Sequence, residues 1–235
     1  YVRTYTEQHG LSDNRVTCFY KDVHGYVWIG TRNGLNRYDG HSFKVYKPTS
    51  KQSISNEIIN DITGDSAGNI WVATMNGLNR LDHATGKWTT WMPDNQNKQN
   101  TLPNNLVWDI ELDKNGKLWI ASDVFSFASL DYTKNQFDLY DWPGFVKTIS
   151  GIRTPKGYHS ILRFVQSNSD TCWLGTNKGL VMLNIRTKQF TYLGAAYNDQ
   201  LSDMQYDSIR RKVLLVTEEG SLWEYGLDSG TFNVH

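Results

Sequence analysis

The sequence predicts an all-β fold, a β-propeller built of four-stranded antiparallel blades, and three observations predict it. A segment of about forty residues recurs along the chain, which is the period of a propeller blade. Short runs that alternate between apolar and polar residues end at Gly and Asp turns. The composition, with 9 Trp, 13 Tyr and 19 Gly, favours short strands joined by tight turns.

The repeat is clearest in the first two units, where residues 22–39 return as residues 65–82 at an offset of 43. A third copy covers residues 113–122 and a fourth covers residues 172–180. The fifth copy, residues 213–220, has diverged furthest, and Leu214 stands where the other copies have Trp. We therefore expect about five blades and almost no helix.

Each unit divides into four strands, as the first one illustrates. Residues 16–21 alternate, whereas residues 26–31 are almost continuously apolar, as in a strand covered on both faces. Arg32 and Asn33 then form a two-residue turn closed by Gly34, which suits a hairpin that needs positive φ. Residues 35–38 and 42–46 complete the unit.

The same division of the later units gives the predicted blades. They cover residues 10–46, 53–91, 101–140, 157–193 and 201–235. Residues 1–8 are predicted to be one more outer strand, because residues 1–5 resemble residues 42–46, the outermost strand of the first blade.

One tryptophan recurs in the second strand of four units, with a small residue two positions after it. A bulky ring at this position fills the wedge between neighbouring blades. We therefore interpret these residues as structural core, not as a sugar-stacking surface: Trp28, Trp71, Trp119 and Trp173. Trp88 and Trp91 occupy the positions of Phe43 and Tyr46 and receive the same interpretation.

The first two units resemble the two-component regulator propeller repeat. The resemblance is carried by Gly10-Leu11-Ser12-Asp13-Asn14 and by the run from Asp22 to Gly40, which includes Trp28-Ile29-Gly30-Thr31 and Gly34-Leu35-Asn36-Arg37-Tyr38. It extends, more weakly, over nearly the whole chain.

The resemblance implies a periplasmic sensor region of a Bacteroides-type hybrid two-component system. In that family a membrane-anchored histidine kinase follows the sensor, which typically detects an oligosaccharide and controls glycan-utilisation genes. It also implies that the five blades are part of a seven-bladed ring, and that the remaining blades and the kinase are partners within the parent chain. This segment itself has no kinase, receiver or helix-turn-helix motif.

Other functions receive less support from the residues. The carboxylates are scattered over turn positions and do not form the close pair that a retaining glycosidase needs. The six histidines lack metal-ligand spacing, and no cofactor motif is present. Equal numbers of acidic and basic residues, 24 of each, give no general attraction to nucleic acid. A protein-docking scaffold and a propeller lyase remain as alternatives.

Candidate ligand-binding residues come from positions that vary between the units while their neighbours stay constant. The turns after the second strand carry Arg32, Met75, Asp123 and Asn177. Loops entering the first strand should lie on the same face as these turns, around the mouth of the central channel. The long connection 141–160 adds Arg153, and such connections are often functional.

Trp108 is the sixth candidate. The spacings Leu11–Gly25, Ile54–Gly68 and Leu102–Gly116 are all 14 residues, so Trp108 stands where the first two units have Thr17 and Asn60. The next position in the first four units is occupied by Cys18, Asp61, Asp109 and Arg163. Aromatic and charged groups at one mouth suit an oligosaccharide. In the alternative interpretation, Trp108 packs under a loop and Arg163 neutralises Asp61 or Asp109.

The number of strands predicts that this chain is a piece of a larger propeller. The fifth unit already has an outer strand at residues 231–234, so the strand at residues 1–8 has no blade to complete among the five. It is expected to complete the last blade of the parent ring. Uncovered blade faces would also favour self-association.

Overall fold

A computed structural model describes residues 2–49, 53–113, 115–122, 126–148, 161–176, 179–194 and 201–235. The described residues form five four-stranded sheets, and in each sheet the strands lie side by side in chain order. Within these described ranges, regular helix is limited to a 3-10 turn at Glu7–His9 and a helix, α1, at Trp142–Thr148. The predicted all-β propeller fold is confirmed.

The strands follow one another along the chain in groups of four. The first two sheets, called blades 1 and 2, contain β1 Val16–Lys21, β2 Val27–Thr31, β3 Gly34–Tyr38, β4 Phe43–Tyr46, β5 Ile59–Gly64, β6 Ile70–Thr74, β7 Gly77–Leu81 and β8 Trp88–Trp91. Blade 3 contains β9 Val107–Leu112, β10 Leu118–Ser122, β11 Ser126–Asp131 and β12 Gln136–Tyr140. Blades 4 and 5 contain β13 Ile161–Asn168, β14 Thr171–Thr176, β15 Gly179–Asn184, β16 Gln189–Gly194, β17 Leu201–Asp207, β18 Lys212–Thr217, β19 Leu222–Gly226 and β20 Thr231–Val234.

A β-bulge recurs at the start of the first strand of a blade. It adds one residue after Val16, Ile59, Ile161 and Leu201 in blades 1, 2, 4 and 5. A bulge turns the extra side chain away from the regular alternation and increases the local twist. Thr17 and Asn60 are such extra residues, so this position is set apart from the packed faces of the sheet.

The glycine that closes the predicted hairpin is required by its backbone. Gly34 has φ of +132°, a conformation that L side chains rarely adopt. A Cβ atom there would lie 3.1 Å from the Tyr46 carbonyl oxygen and 3.3 Å from Ser12 Oγ. The turn therefore needs glycine for both its conformation and its close packing.

The chain forms two compact units. The first comprises Tyr1–Ile120 and Ala128–Asp138, and the second comprises Ala121–Phe127 and Leu139–His235. In the first unit, Trp28 and Leu35 of blade 1 pack in one buried cluster with Ile62 and Val72 of blade 2. This cluster joins the tryptophan-bearing face of one blade to the opposite face of the next.

The second unit has its own core. In it, Leu174 is completely buried in blade 4 and Met204 is 7% exposed in blade 5. Helix α1 begins the connection that the sequence analysis placed at residues 141–160. Its Trp142 is buried and meets Phe190 edge-on, with ring centroids 5.3 Å apart. This end of the connection is therefore part of the core.

All four repeat tryptophans are buried, with 3, 0, 1 and 4% exposure for Trp28, Trp71, Trp119 and Trp173. The indole N–H of Trp28 donates to Asp22 Oδ2 at 2.7 Å. In blade 2 the equivalent oxygen, Asp65 Oδ2, accepts a hydrogen bond from the side-chain amide of Asn69 at 2.8 Å. Nε1 of Trp71 is buried and has no hydrogen-bond partner among the described residues.

The outer strand expected over residues 1–8 is not formed in the part of it that the structure describes. Residues 2–6 have no regular secondary structure, and Glu7–His9 form the 3-10 turn. A strand exists only through a hydrogen-bonded neighbour, and none of the described strands pairs with these residues. Tyr5 nevertheless has fixed contacts: its hydroxyl bonds that of Tyr38 at 2.7 Å, and its ring meets Phe43 edge-on.

Candidate functional site

The loops of the first unit meet at one end of the blades. The Gly34 N–H, in the turn after β2, donates to the Glu57 carbonyl in the loop that enters blade 2, at 2.7 Å. The Gly77 N–H donates in the same way to the carbonyl of Asn105, at 2.5 Å. Turns after the second strand and loops before the first strand therefore share one end, as the sequence analysis expected.

A repeated hydrogen-bond network holds this end of blade 1 in place. The Ser12 N–H donates to Asn36 Oδ1 at 2.9 Å, and Asn36 Nδ2 donates back to Ser12 Oγ at 2.8 Å. Thr31 Oγ1 lies 2.9 Å from Ser12 Oγ and donates to the Gly34 carbonyl at 2.8 Å. Asn36 and Thr31 are completely buried, so these bonds fix the loop on rigid strands.

The network is repeated in blade 2 and replaced in blade 3. Ser55 and Asn79 make the same reciprocal pair, with bonds of 2.9 and 2.8 Å. In blade 3 the Ser122 hydroxyl donates to the Ser126 carbonyl, which places Ala128 at the position of the asparagine and Pro103 at that of the serine. Proline has no backbone N–H to donate, so blade 3 does not need the asparagine side-chain oxygen that accepts the serine N–H in the other two blades.

Arg32 lies in the turn after β2 and is exposed. Its backbone N–H donates to the Arg15 carbonyl at 3.3 Å, which fixes the turn and leaves the side chain at the surface. The pKa of Asp13 is lowered, chiefly by hydrogen bonds from Arg15 and to a smaller extent by the charge of Arg32. Arg32 is therefore a surface cation beside the Ser12–Asn36 network.

Met75 occupies the equivalent turn of blade 2 and is half-buried. Its N–H donates to the Ile58 carbonyl at 3.2 Å. The neighbouring Asn76 accepts a 3.0 Å bond from the Asn105 side chain in the loop that enters blade 3. Met75 and the start of β9, which carries Trp108, are thereby placed on the same end of the blades.

Trp108 is half-buried near the start of β9, three residues after Asn105. Its Nε1 is buried and has no hydrogen-bond partner among the described residues. A buried N–H without an acceptor costs about 1–3 kcal/mol, so this group favours any oxygen that can reach it. Neighbouring Val107 accepts a bond from Asn60 Nδ2 at 2.7 Å, which fixes the backbone on which the ring is mounted.

The predicted register next to this position agrees with the strand pairing. Cys18 lies opposite Gly30, Asp61 opposite Ala73, and Arg163 opposite Gly175. Asp61 has a structural contact, because its Oδ2 accepts the Ile110 N–H at 2.9 Å and so ties β5 to β9.

Three of the six predicted ligand residues, Asp123, Arg153 and Asn177, lie outside the described residues. The structure brings Met75 and Trp108 to one end of the first unit and places Arg32 on the equivalent turn one blade earlier. Sequence reasoning missed the Ser12–Asn36 network, although the identical Ser and Asn letters in the first two units are a signal for it.

The repeated turn aspartates have structural roles. Asp22 accepts the N–H groups of His24 and Tyr26, each at 2.9 Å, in addition to the indole of Trp28. Asp113 repeats this arrangement in blade 3, where the Trp119 indole donates at 3.1 Å. These acceptor oxygens are occupied by the turns themselves, so their arrangement gives no support to acid–base catalysis.

Comparison with known proteins shows which repeat these blades resemble. The family model of the two-component regulator propeller matches residues 10–33, 53–76 and 101–123. Over 53 residues, 23% of this chain and 4% of the relative, the sequence is 42% identical to histidine kinase P4 of Formosa agariphila. Three segments of the chain, all within its first 123 residues, therefore match the two-component regulator propeller repeat.

Solved structures agree with the fold. The extracellular domain of the hybrid two-component system BT3049 from B. thetaiotaomicron superposes with a TM-score of 0.84 over 98% of this chain and 31% of that chain, at 23% identity. PorZ, a surface component of the type-IX secretion system of Porphyromonas gingivalis, has a TM-score of 0.61 and 12% identity, over 92% of this chain and 33% of PorZ. The chain spans about a third of these proteins. None of its described helices has the length and apolar character to cross a membrane.

Proposed function

We propose that this chain is a ligand-sensing propeller segment of a periplasmic sensor region in a two-component system. Its ligand is an oligosaccharide, and a membrane-anchored kinase in the parent chain relays binding to glycan-utilisation genes. The observation that carries the proposal is the match of three separate segments to the two-component regulator propeller repeat. The remaining blades of the parent propeller are the other partners of this segment.

The geometry of the first unit supports a sugar ligand. Trp108 offers an aromatic ring for stacking and a buried N–H that lacks an acceptor among the described residues. Met75 adds a half-buried apolar side chain on the same end, and Arg32 is an exposed cation on the equivalent turn of blade 1. Aromatic stacking combined with a few fixed polar groups is typical of small-molecule sites. Asp123, Arg153 and Asn177 stay in the proposal as further contacts.

The test is calorimetric titration of the chain with a panel of purified neutral and acidic oligosaccharides, each repeated with Trp108→Ala. We expect one glycan class to bind with heat that the variant loses. The absence of binding for every glycan, with the protein folded, would contradict the proposal. Chromatography of the glycans after incubation detects turnover, which would indicate a propeller lyase or glycosidase.

A protein-docking scaffold is the second candidate, favoured by the likeness to the secretion-system component PorZ. The two proposals differ in one measurement. A scaffold would bind no glycan and would retain its protein partner when Trp108 is replaced by alanine, provided that the partner contacts another surface.

A further inference from the structure

Three asparagines of this chain are followed directly by glycine: Asn33, Asn76 and Asn115. An asparagine in this position can lose its side-chain amide without an enzyme, a reaction called deamidation. Glycine favours the reaction because it has no Cβ to shield its backbone nitrogen, which is the attacking atom. The structure restrains the three asparagines to very different extents, so the chain contains its own comparison.

Deamidation requires the side chain of asparagine to turn toward the backbone nitrogen of the glycine. That nitrogen gives its proton to a base in the solvent, and its lone pair forms a bond to the side-chain carbonyl carbon, Cγ. The side-chain nitrogen leaves as ammonia, and a cyclic succinimide remains. Water then breaks the bond from the glycine nitrogen to Cγ, which leaves aspartate, or the bond to the backbone carbonyl carbon, which leaves isoaspartate. Overall, water is consumed and ammonia is released.

Asn33 is held at both ends of its amide group. Its Nδ2 donates to the Ser12 carbonyl at 3.2 Å, and its Oδ1 accepts a bond from Lys47 Nζ at 2.8 Å. The attacking nitrogen, that of Gly34, donates its N–H to the Glu57 carbonyl in the loop that enters blade 2, at 2.7 Å. All three bonds must break before the reaction starts, so the fold protects Asn33.

Asn76 is held less firmly. Its Oδ1 accepts a bond from Asn105 Nδ2 at 3.0 Å, whereas its Nδ2 has no partner within the part of the chain that the structure describes. The Gly77 N–H donates to the Asn105 carbonyl at 2.5 Å, so the attacking nitrogen is again bound to the loop of another blade. Asn76 therefore has one side-chain bond fewer than Asn33.

Asn115 lies in the turn between β9 and β10 and is exposed. Its backbone N–H donates to Asp113 Oδ1 at 2.8 Å, but its side-chain amide makes no hydrogen bond with the described residues. The Gly116 N–H donates to the Asp113 carbonyl at 3.0 Å, within the same turn. A surface turn of this kind opens locally and does not require another blade to move.

We propose that Asn115 is a site of spontaneous deamidation, at which the folded protein slowly converts an amide to aspartate and isoaspartate. The same fold protects Asn33 and, to a smaller extent, Asn76. The inference concerns a chemical modification of the chain and is independent of the ligand proposed above.

The modification has a structural consequence for blade 3. Asp113 Oδ1 accepts the N–H groups of Asn115 and Lys117, at 2.8 and 2.9 Å, and Oδ2 accepts the indole N–H of Trp119 at 3.1 Å. Isoaspartate adds a methylene group to the backbone between the first two of these donors. Either product also places a second carboxylate beside Asp113, and like charges repel. The modified turn should therefore hold the repeat tryptophan of blade 3 less firmly.

The test is incubation of the folded protein in neutral phosphate buffer at physiological temperature. Peptide mapping by mass spectrometry, after digestion at mildly acidic pH, measures the conversion of each asparagine. We expect Asn115 to react roughly tenfold or more faster than Asn33, with Asn76 between them, because each hydrogen bond that must break slows the reaction. In guanidinium chloride, where these bonds are absent, the three rates should be similar.

Two variants serve as matched probes. Lys47→Met keeps the apolar stem of the side chain and removes the donor to Asn33 Oδ1, so the rate at Asn33 should rise several-fold while that at Asn115 is unchanged. Asn115→Gln removes the reactive side chain at an exposed position. The melting temperature of the unsubstituted protein should fall with incubation time, and that of Asn115→Gln should fall much less.

Two results would overturn the inference. The first is equal conversion of the three asparagines in the folded protein, or slower conversion of Asn115 than of Asn33. The second is a rate at Asn115 that exceeds the other two by as much in the unfolded chain as in the folded one, which would make the difference a property of the local sequence. No oligosaccharide is present in any of these measurements, so their outcome does not depend on the proposed function.

Discussion

Trp108 combines two properties at the residue scale that its equivalents Thr17 and Asn60 do not have. It brings a large aromatic ring to the start of the first strand of blade 3, and its indole N–H is buried without an acceptor among the described residues. A group that costs free energy in the free protein gains more when a ligand oxygen reaches it. Trp108 is therefore the residue on which the proposed oligosaccharide site depends most.

Replacing Trp108 by alanine should weaken oligosaccharide binding by roughly 1–3 kcal/mol, as for a central aromatic anchor. The calorimetric titration measures this change. Trp88→Ala is the control, because Trp88 packs against Tyr46 on the outermost strands and should leave the affinity unchanged. Unchanged affinity with a lower melting temperature for Trp108→Ala would make Trp108 a packing residue under a loop.

The two best-aligned repeat tryptophans differ in one hydrogen bond. Trp28→Phe breaks the bond to Asp22 and leaves that carboxylate short of a donor, whereas Trp71→Phe removes an N–H that has no partner among the described residues. Both changes remove the same volume. We expect Trp28→Phe to lower the free energy of unfolding by about 1–2 kcal/mol more than Trp71→Phe, measured by urea denaturation. Equal losses would show that the indole bond contributes nothing to stability.

At the scale of the element, the hairpin between the second and third strands is the most constrained part of a blade. Gly34→Ala should destabilise the protein by about 1–3 kcal/mol, because it adds a strained φ and a crowded Cβ. Gly40→Ala is the matched control: Gly40 has φ of +96°, but a Cβ there has no atom within 4 Å. The melting temperature of Gly34→Ala should therefore be lower than that of Gly40→Ala. The reverse order would contradict the packing argument.

The strands could be predicted from the sequence. The positions that break the regularity of the strands could be predicted only in part. The alternation of β1 gave its bounds, 16–21, directly, because one face of an exposed strand is polar. The spacing of 14 residues aligned Trp108 with Thr17 and Asn60, but the β-bulge that takes those two residues out of the regular alternation depends on strand pairing. Helix α1 was not predicted, because its seven residues include Pro143 and Gly144 and form a helix through the packing of Trp142 on Phe190.

At the scale of the whole molecule, acid stability is governed by carboxylates distributed over the turns. The pKa of Asp39 is lowered, chiefly by the Ser42 backbone N–H, and the pKa of Asp82 is lowered, chiefly by the Thr85 hydroxyl. A carboxyl group with a lowered pKa in the folded state adds stability above the unfolded value of about 4 and loses it as the pH falls through the folded value. Asp39 is exposed and the Asp82 side chain is 31% exposed, so solvent screening keeps the contribution of each group small.

We therefore expect a melting temperature that is constant from about pH 7 to 5 and falls below about pH 4. Calorimetric melting over this range checks it. The variant Asp39→Asn should reduce the fall, because it removes one of the titrating groups. A decrease between pH 7 and 5.5 would contradict this expectation, because carboxyl groups with a lowered pKa do not titrate in that range.

The reciprocal bonds between Ser12 and Asn36 limit how such a chain can recombine. A crossover between the serine position and the asparagine position of two different units would produce one of two hybrids. One joins a loop with serine to a strand with Ala128, and the other joins a loop with Pro103 to a strand with asparagine. Either hybrid leaves a buried polar group without its counterpart, which is costly. A crossover in the linker between blades keeps each pair intact. Gene duplication and shuffling should therefore exchange whole blades and not parts of them.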